Sequence, residues 1–217
     1  MSAEVPGGES RVVLVRHGET EYNFEGRWQG SGSDVPLNAT GRVQAGRVAE
    51  ALAARFDAAL ETIYSSDLAR AFETAEILAA RLGIAIVEVP ALRELSHGAW
   101  EGRTQAEVEA RWPAEYAAYL ANPFRIGRGG GESYADLERR VWPALERLAG
   151  VHRGQRIVAV SHGGPIRLAL SRILDRPLAD RDALGVVNGS WFEISRSSAG
   201  WSLESSGLDV GGLPLRT

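Results

Sequence analysis

The chain has 217 residues, of which 44% are hydrophobic and 24% charged, so it can bury a full core and one domain spanning 1–217 is expected. Its formal net charge of −4 argues against a nucleic-acid partner, because that role normally needs a basic face. The absence of cysteine excludes disulfides, thiolate catalysis and cysteine-based metal sites.

The apolar runs of the sequence are short. The longest of them fall far below the length of a membrane span, which argues against a membrane partner. Residues 1–10 contain no basic segment followed by an apolar one, so they are interpreted as a loose tail. Together these features predict a cytoplasmic protein.

Two short apolar runs end in a histidine. Val12–Val15 leads into Arg16 and His17 and turns at Gly18, and a second run over 157–160 leads into the sequence Ser-His-Gly-Gly at 161–164. Runs this apolar and this short are typical of parallel strands buried on both faces, whose carboxyl ends hold ligands in open α/β sheets. If the two strands are neighbours, both histidines face one crevice, where Arg16 and glycine amides favour an anion.

Between these runs the pattern alternates between helix and strand. Asn38 is predicted to cap a helix that ends near Phe56, and a strand over 62–65 follows. Ser66 is predicted to cap the next helix, and a strand over 84–87 comes after it. The apolar stripe of this second helix comprises Leu68, Ala71, Phe72, Ala75, Leu78 and Leu82.

Residues 104–131 interrupt the alternation with aromatic residues, prolines and arginines, and are predicted to form a lid or substrate-specificity segment. Ser133 and Asp136 then predict a capping box. The helix that they begin has a predicted buried stripe of Tyr134, Leu137, Val141, Leu145 and Leu148. A helix to about Leu174 follows the second histidine, and two short strands near Trp191 and Trp201 predict a closing hairpin.

This order of elements predicts an α/β fold. Alternating strands and helices favour a mostly parallel central sheet, and helices on both of its faces would make a three-layer α/β/α sandwich. The closing hairpin adds one antiparallel edge strand to the prediction.

Four segments resemble, in order, the motifs of one known family. They are Leu14–Thr20 (LVRHGET), Ser65–Ala75 (SSDLARAFETA), Leu92–Gly102 (LRELSHGAWEG) and Ser161–Gly164 (SHGG). On these motifs the sequence is identified as a member of the histidine phosphatase superfamily, also called phosphoglycerate mutase-like, and it resembles the phosphatase branch. The resemblance spans nearly the whole chain and implies the phosphoglycerate mutase-like fold.

The resemblance implies that His17 is the nucleophile. It would take the phosphoryl group from the substrate, and water would then hydrolyse the phosphohistidine. The neighbouring Arg16 disfavours the imidazolium form, so the nucleophile stays available near neutral pH. The resemblance further implies that Arg16, Arg70 and His162 clamp the phosphate oxygens, and that no metal or cofactor is needed.

Glu94 is implied to be the general acid and then the general base. A carboxyl beside a phosphate dianion has its charged form disfavoured, which suits it to protonate the leaving oxygen. Glu101 is a rival carboxylate, but the family pattern gives this role to the glutamate after Leu-Arg, so Glu101 is interpreted as structural.

Accessory substrate contacts are implied at four further positions. Asn23 and Gln29 lie in the loop after His17, and ordinary polar loop residues are the alternative interpretation for both. Thr20 and Gly163 belong to the two motifs that hold the histidines.

The substrate is expected to be a small phosphomonoester, such as a sugar phosphate or a phosphoglycerate. Arg125 and Arg128, with the aromatic residues of the lid, suggest a substrate with an extra anionic or sugar-like part. The aromatics Trp112, Tyr116 and Tyr119 have a second interpretation, namely packing of the lid on the core. His97 is interpreted as a rim or packing residue, with a substrate contact as the alternative, and His152 as exposed.

Three alternatives stand beside this hypothesis. A cofactor-dependent phosphoglycerate mutase shares the motifs, but the mutases carry a long insertion where Glu94 to Gly131 is short. A catalytically silent phosphate-binding regulatory protein would keep the fold without turnover. A metal site built from His17, Glu19 and His162 is disfavoured because the arginines would repel a cation. The sequence leaves the oligomeric state open between monomer and homodimer.

Overall fold

The computed structural model describes residues 8–56, 59–178 and 183–207. Within these ranges the strands are β1 (Ser10–Arg16), β2 (Leu60–Ser65), β3 (Ile86–Glu88), β4 (Arg156–Ser161), β5 (Trp191–Ser197) and β6 (Gly200–Gly207). The α-helices are α1 (Glu21–Phe24), α2 (Ala39–Phe56), α3 (Ala69–Leu82), α4 (Gln105–Arg111), α5 (Pro113–Ala121), α6 (Tyr134–Val151) and α7 (Gly163–Ile173). No described helix combines the length and apolarity that crossing a membrane requires.

The strands form one sheet in the order β3-β2-β4-β1-β5-β6. Strands β1 and β4 are parallel neighbours, with Arg16 opposite Ser161, so the two histidines that follow them lie side by side as predicted. Strand β5 pairs antiparallel with both β1 and β6. The closing hairpin therefore adds an antiparallel edge pairing to a mostly parallel sheet, as predicted, with β6 at the edge and β5 as the reversed strand beside it.

Helices cover both faces of the sheet. Because successive side chains of a strand point to opposite faces, Val12 and Leu14 of β1 pack in a cluster with helices α6 and α7. Val13 and Val15 pack on the other face with α2 and α3. This confirms the three-layer α/β/α sandwich with a mostly parallel sheet.

Two of the predicted helix caps are confirmed and one is wrong. The Asn38 side chain accepts a hydrogen bond from the Gly41 amide (2.8 Å), and Ser133 forms a capping box with Asp136. Helix α3 instead has Leu68 at its cap position, with no side-chain cap. The Ser66 hydroxyl binds the Leu68 amide (3.3 Å) and a ring nitrogen of His162 (2.8 Å), so it connects the helix start to the crevice.

The structure corrects the predicted tail. Ser10 is buried in β1 and its hydroxyl donates to the Ala149 carbonyl (2.6 Å), so the ordered sheet begins inside the segment 1–10; residues 1–7 lie outside the described residues.

Residues 104–131 contain the short helices α4 and α5. Their aromatic side chains pack on one another in a small cluster, which has Trp100 and Tyr119 at its centre and Trp28, Trp112 and Tyr116 around it.

Candidate active site

His17 is the first residue after β1 and is held by its own backbone. Its amide donates to the Ser161 carbonyl of the neighbouring strand end (3.1 Å), and only 3% of the residue is exposed. Nδ1 lies 2.7 Å from the Gly18 carbonyl oxygen. A carbonyl can only accept, so Nδ1 carries the hydrogen and Nε2 keeps its lone pair.

The surroundings of His17 favour the neutral imidazole. Burial lowers the pKa of His17 well below its usual range, and the positive charges of Arg70 and Arg16 lower the pKa further. At neutral pH the ring is therefore an uncharged base with a free lone pair.

His162 and Arg70 stand behind His17. The two histidine rings are 5.1 Å apart between centroids, and Arg70 Nε donates to His162 Nδ1 (3.2 Å). Both residues are 0% exposed, and Arg70 gives its other nitrogens to the carbonyls of Ser33 (3.0 Å) and Gly30 (3.2 Å). The guanidinium is thus hydrogen-bonded to His162 and to the 30–33 loop, and the clamp of Arg16, Arg70 and His162 on a phosphate stays a prediction.

A cavity of about 140 Å³ opens beside His17. It is lined by Arg16, His17, Asn23, Arg27, Trp28, Gln29, Glu94, His97, Arg128, Gly163 and Arg167. Among these described lining residues, four arginines face a single carboxylate, so the cavity favours an anion. Arg16 is fixed by a hydrogen bond from Nη1 to the Val186 carbonyl (2.8 Å), and burial, followed by the neighbouring Arg167, lowers its pKa to about 10, which leaves it charged at neutral pH.

Glu94 faces the cavity at the start of α7. Both carboxylate oxygens lie 3.1 Å from the Gly164 amide, and Oε1 also accepts from its neighbour, the Leu95 amide (3.0 Å). Glu101 has different partners: Oε1 accepts from the amides of Gly32 (3.2 Å) and His97 (3.0 Å). Glu101 thus holds two loops together, while Glu94 is the carboxylate at the cavity.

The loop after His17 contains the predicted accessory residues. Asn23 and Gln29 line the cavity. Thr20 does not: its fully buried side chain caps α1, accepting from the Asn23 amide (3.2 Å) and donating to Gln29 Oε1 (2.7 Å). Thr20 thus fixes Asn23 and Gln29, and its predicted contact with substrate stays a prediction.

Sequence reasoning missed Asn188 and Arg167. Asn188 Nδ2 donates to the carbonyls of His17 (3.1 Å) and Gly18 (3.2 Å) and to Asn23 Oδ1 (3.1 Å). It precedes β5, and only a reversed strand brings its amino end to this edge of the sheet. Arg167 follows Gly163 by one helical turn, so helical spacing was a usable signal for it.

Of the remaining histidines and lid arginines, His97 and Arg128 line the cavity, and His152 and Arg125 do not. His97 is buried in the cavity wall, where Nε2 lies 3.0 Å from Arg128 Nη1, and Nδ1 has no partner in the described part of the chain. His152 is half-buried and hydrogen-bonded to the Tyr64 hydroxyl (2.7 Å), so the prediction that it is exposed is wrong. Arg128 lines the cavity, whereas Arg125 is exposed outside it.

Across the described ranges, His, Asp and Glu side chains nowhere gather in a group of three that could hold a metal ion.

This fold and this arrangement of residues agree with one known family. The model of the histidine phosphatase superfamily (branch 1) matches residues 12–209. The chain belongs to this superfamily, and it is a phosphoric monoester hydrolase.

Its relatives include enzymes with distinct substrates. A metal-independent phosphoserine phosphatase of Arabidopsis thaliana is 35% identical over 204 residues, covering 88% of this chain and 84% of the relative. Glucosyl-3-phosphoglycerate phosphatase of Mycobacterium tuberculosis is 36% identical over 194 residues and covers 85% of each chain. A solved mycobacterial glucosyl-3-phosphoglycerate phosphatase with VO3 superposes with a TM-score of 0.78 at 33% identity, covering 90% of this chain and 97% of the other.

Proposed function

We propose that this protein is a metal-independent phosphomonoester hydrolase that acts through a phosphohistidine at His17 on a small phosphorylated metabolite. Nε2 of His17 attacks phosphorus, the bond from phosphorus to the ester oxygen breaks, and Glu94 gives that oxygen a proton. Water then attacks the phosphohistidine and returns a proton to Glu94, which releases phosphate and the free imidazole.

The observation that carries the proposal is the state of His17. The hydrogen bond from Nδ1 to the Gly18 carbonyl leaves Nε2 as the nucleophilic atom, and burial lowers the pKa of the ring so that it is neutral. The nucleophile stands in a cavity whose arginines attract a phosphate dianion. Nucleophile, cationic wall and carboxylate are the parts that phosphoryl transfer requires.

The proposal gives the arginines two tasks. Arg16 and the amide of Gly163 meet the phosphate oxygens from the cavity wall, where α7 begins and its amino end favours an anion. Arg70 and His162 act from behind: Arg70 orients the His162 ring through Nε, and its charge disfavours protonation of His17.

Hydrolysis is favoured over the mutase reaction. Relatives named as phosphatases cover most of this chain, among them the phosphoserine and glucosyl-3-phosphoglycerate enzymes. A phosphoglycerate mutase-like protein of Arabidopsis thaliana is 43% identical over 165 residues, so the mutase remains the alternative to test. A cytoplasmic location and action without a nucleic-acid or membrane partner also belong to this proposal.

The proposal is tested by phosphate release from an aryl phosphate in the presence of a chelator. The wild-type protein is expected to turn over, and His17→Ala to show no activity above background. His152→Gln is the matched control, because His152 binds Tyr64 and Gln155 outside the cavity, and it should keep wild-type activity. Loss of turnover in chelator, or full activity in His17→Ala, would contradict the mechanism.

A second measurement separates the alternatives. The protein is incubated with 3-phosphoglycerate and a bisphosphoglycerate primer, and 2-phosphoglycerate is followed against free phosphate. Phosphate should dominate; rapid isomerisation with little phosphate would show a mutase. Phosphate binding without turnover on a broad phosphomonoester panel would show the silent regulatory protein.

A further inference from the structure

A second cavity adjoins the first on the far side of Glu94. Its volume is about 200 Å³, and it is lined by Trp28, Glu94, Leu95, Gln105, Tyr116, Tyr119, Leu120, Arg128, Tyr134, Gly164 and Arg167. Four of these residues, namely Trp28, Glu94, Arg128 and Arg167, also line the cavity beside His17. Since Glu94 is the proposed donor to the leaving oxygen, the alcohol part of the substrate extends from Glu94 into this second cavity.

Arg128 is held in a fixed orientation between the two cavities. Nε donates to the Tyr119 hydroxyl (3.0 Å) and Nη1 to Nε2 of His97 (3.0 Å). The guanidinium carbon lies 4.8 Å from the ring centroid of Trp28 and 5.2 Å from that of Tyr119. Stacking and two hydrogen bonds fix the plane of the guanidinium before any ligand arrives.

The hydrogen-bond partners of Arg128 are neutral, and the carboxylate that acts on it across the cavities is that of Glu94. The Tyr119 hydroxyl is uncharged. Burial keeps the pKa of His97 well below its usual range, so this histidine is an uncharged acceptor. Charged groups inside proteins are normally paired, because an unpaired charge loses its hydration without recovering it. Across the cavity, Arg167 adds a second guanidinium that is fixed through Nη2 to the Val186 carbonyl (3.1 Å).

We propose that Arg128, assisted by Arg167, binds a carboxylate carried by the alcohol part of the substrate. The substrate class is then a small phosphomonoester with a second anionic group, and Arg128 determines the specificity for it. A planar guanidinium matches the two oxygens of a carboxylate in a bidentate pair. The inference rests on the proposed function only in placing the alcohol part beside Glu94.

The test uses two substrates that differ only at the proposed group. In 3-phosphoglycerate the carbon chain ends in a carboxylate, and in glycerol 3-phosphate it ends in an alcohol. Binding of each to His17→Ala is measured by calorimetry, which needs no turnover. We expect 3-phosphoglycerate to bind at least about tenfold tighter, since hydrogen bonds between charged groups are typically stronger than neutral ones by that order.

Adding Arg128→Gln to His17→Ala should remove this preference. Arg125→Gln is the matched control: it deletes the same charge from an exposed position outside both cavities, and the preference should persist. Arg128→Lys, which keeps the charge without the planar edge, should retain part of the preference, and it also serves if the glutamine variant does not fold.

The outcomes separate the two proposals. Equal binding of the two ligands, or a preference that survives Arg128→Gln, would overturn the inference. Selective binding to His17→Ala together with no hydrolysis by the wild-type protein would retain the carboxylate subsite and reject the proposed function.

Discussion

Glu94, the proposed general acid, is held at the cavity by hydrogen bonds from backbone amides. The Gly164 amide lies 3.1 Å from each of its oxygens, at the first turn of α7. A carboxylate fixed in this way has one defined approach to the leaving oxygen of an ester bound at His17. The demand for its proton depends on the leaving group, because an aryl oxide leaves readily and an alkoxide does not.

Replacing Glu94 with glutamine should therefore harm alkyl esters more than aryl esters. We expect Glu94→Gln to lower kcat for glycerol 3-phosphate about 100-fold or more and to lower kcat for an aryl phosphate much less. The amide keeps one oxygen for the Gly164 contact, so the fold should be preserved. Glu101→Gln is the control, and an equal loss on both substrate types by Glu94→Gln would contradict the role of general acid.

Single residues were predictable from the sequence where they follow a strand. His17, Arg16 and Glu94 lie at the cavity, because the ends of adjacent parallel strands and the loop beside them meet at one edge. Arg70 and His162 lie beside His17, but the sequence does not show that backbone carbonyls would accept hydrogen bonds from Arg70. Contacts across the chain, such as those of Asn188 with His17, leave no local pattern.

The loop that contains Glu94 is hydrogen-bonded to helix α6. Arg140 Nη1 donates to the carbonyls of Ala91 (2.9 Å) and Arg93 (2.7 Å), and Nη2 donates to the Glu94 carbonyl (2.8 Å). Glu132, which pairs with Arg140 (2.8 Å), also accepts from the Ser96 amide (3.0 Å). Helix α6 thus fixes the backbone on both sides of the proposed general acid.

Removing the Arg140 side chain should displace Glu94 without removing any contact between the protein and the substrate. We expect Arg140→Ala to lower kcat for alkyl phosphates about tenfold, with a smaller change in KM and the same leaving-group dependence as Glu94→Gln. Arg139→Ala is the matched control, because Arg139 is the exposed neighbour that pairs only with Asp136 among the described acidic residues. If Arg140→Ala lowered kcat equally for aryl and alkyl esters, and lower stability accounted for the whole loss, the positioning role of Arg140 would be contradicted.

The segment between Trp100 and α6 was the least predictable part of the fold. Its helices α4 and α5 bury their aromatic residues against Trp28 and Trp100 rather than against the sheet, so the usual apolar stripe is replaced by a few large rings. Packing of backbone on backbone also escapes sequence patterns. Gly98 has a φ of +52°, and a Cβ there would lie 2.2 Å from the Gly129 carbonyl oxygen, which is why this contact needs glycine.

The buried histidines make the stability of the protein depend on pH. Burial is the first cause that lowers the pKa of His17, His97 and His162 well below the usual range. In the unfolded chain each would take up a proton near a pH of about 6.5, whereas the folded chain keeps all three neutral. Below that pH the unfolded state binds more protons, so the free energy of unfolding falls as pH falls.

We therefore expect the thermal midpoint to fall between pH 7.5 and 5.5, with most of the loss below about pH 6.5. Each of the three histidines contributes up to about 1.4 kcal/mol per pH unit in this window. In His97→Gln the free energy of unfolding, measured by urea titration at each pH, should depend less steeply on pH. A midpoint that stays constant or rises on acidification would contradict the assignment of neutral buried histidines.

Because β5 runs in the reversed direction, the loop before it lies at the site, and the site is complete only when this late loop has been synthesised. The loop before β5 supplies the Val186 carbonyl that fixes Arg16 and Arg167, and the Asn188 amide that binds the His17 carbonyl. His17 leaves the ribosome 171 residues before Asn188. A nascent chain that stops before residue 185 would contain His17 and Glu94 without the loop that contacts Arg16 and His17, so activity should arise only after this loop has been made.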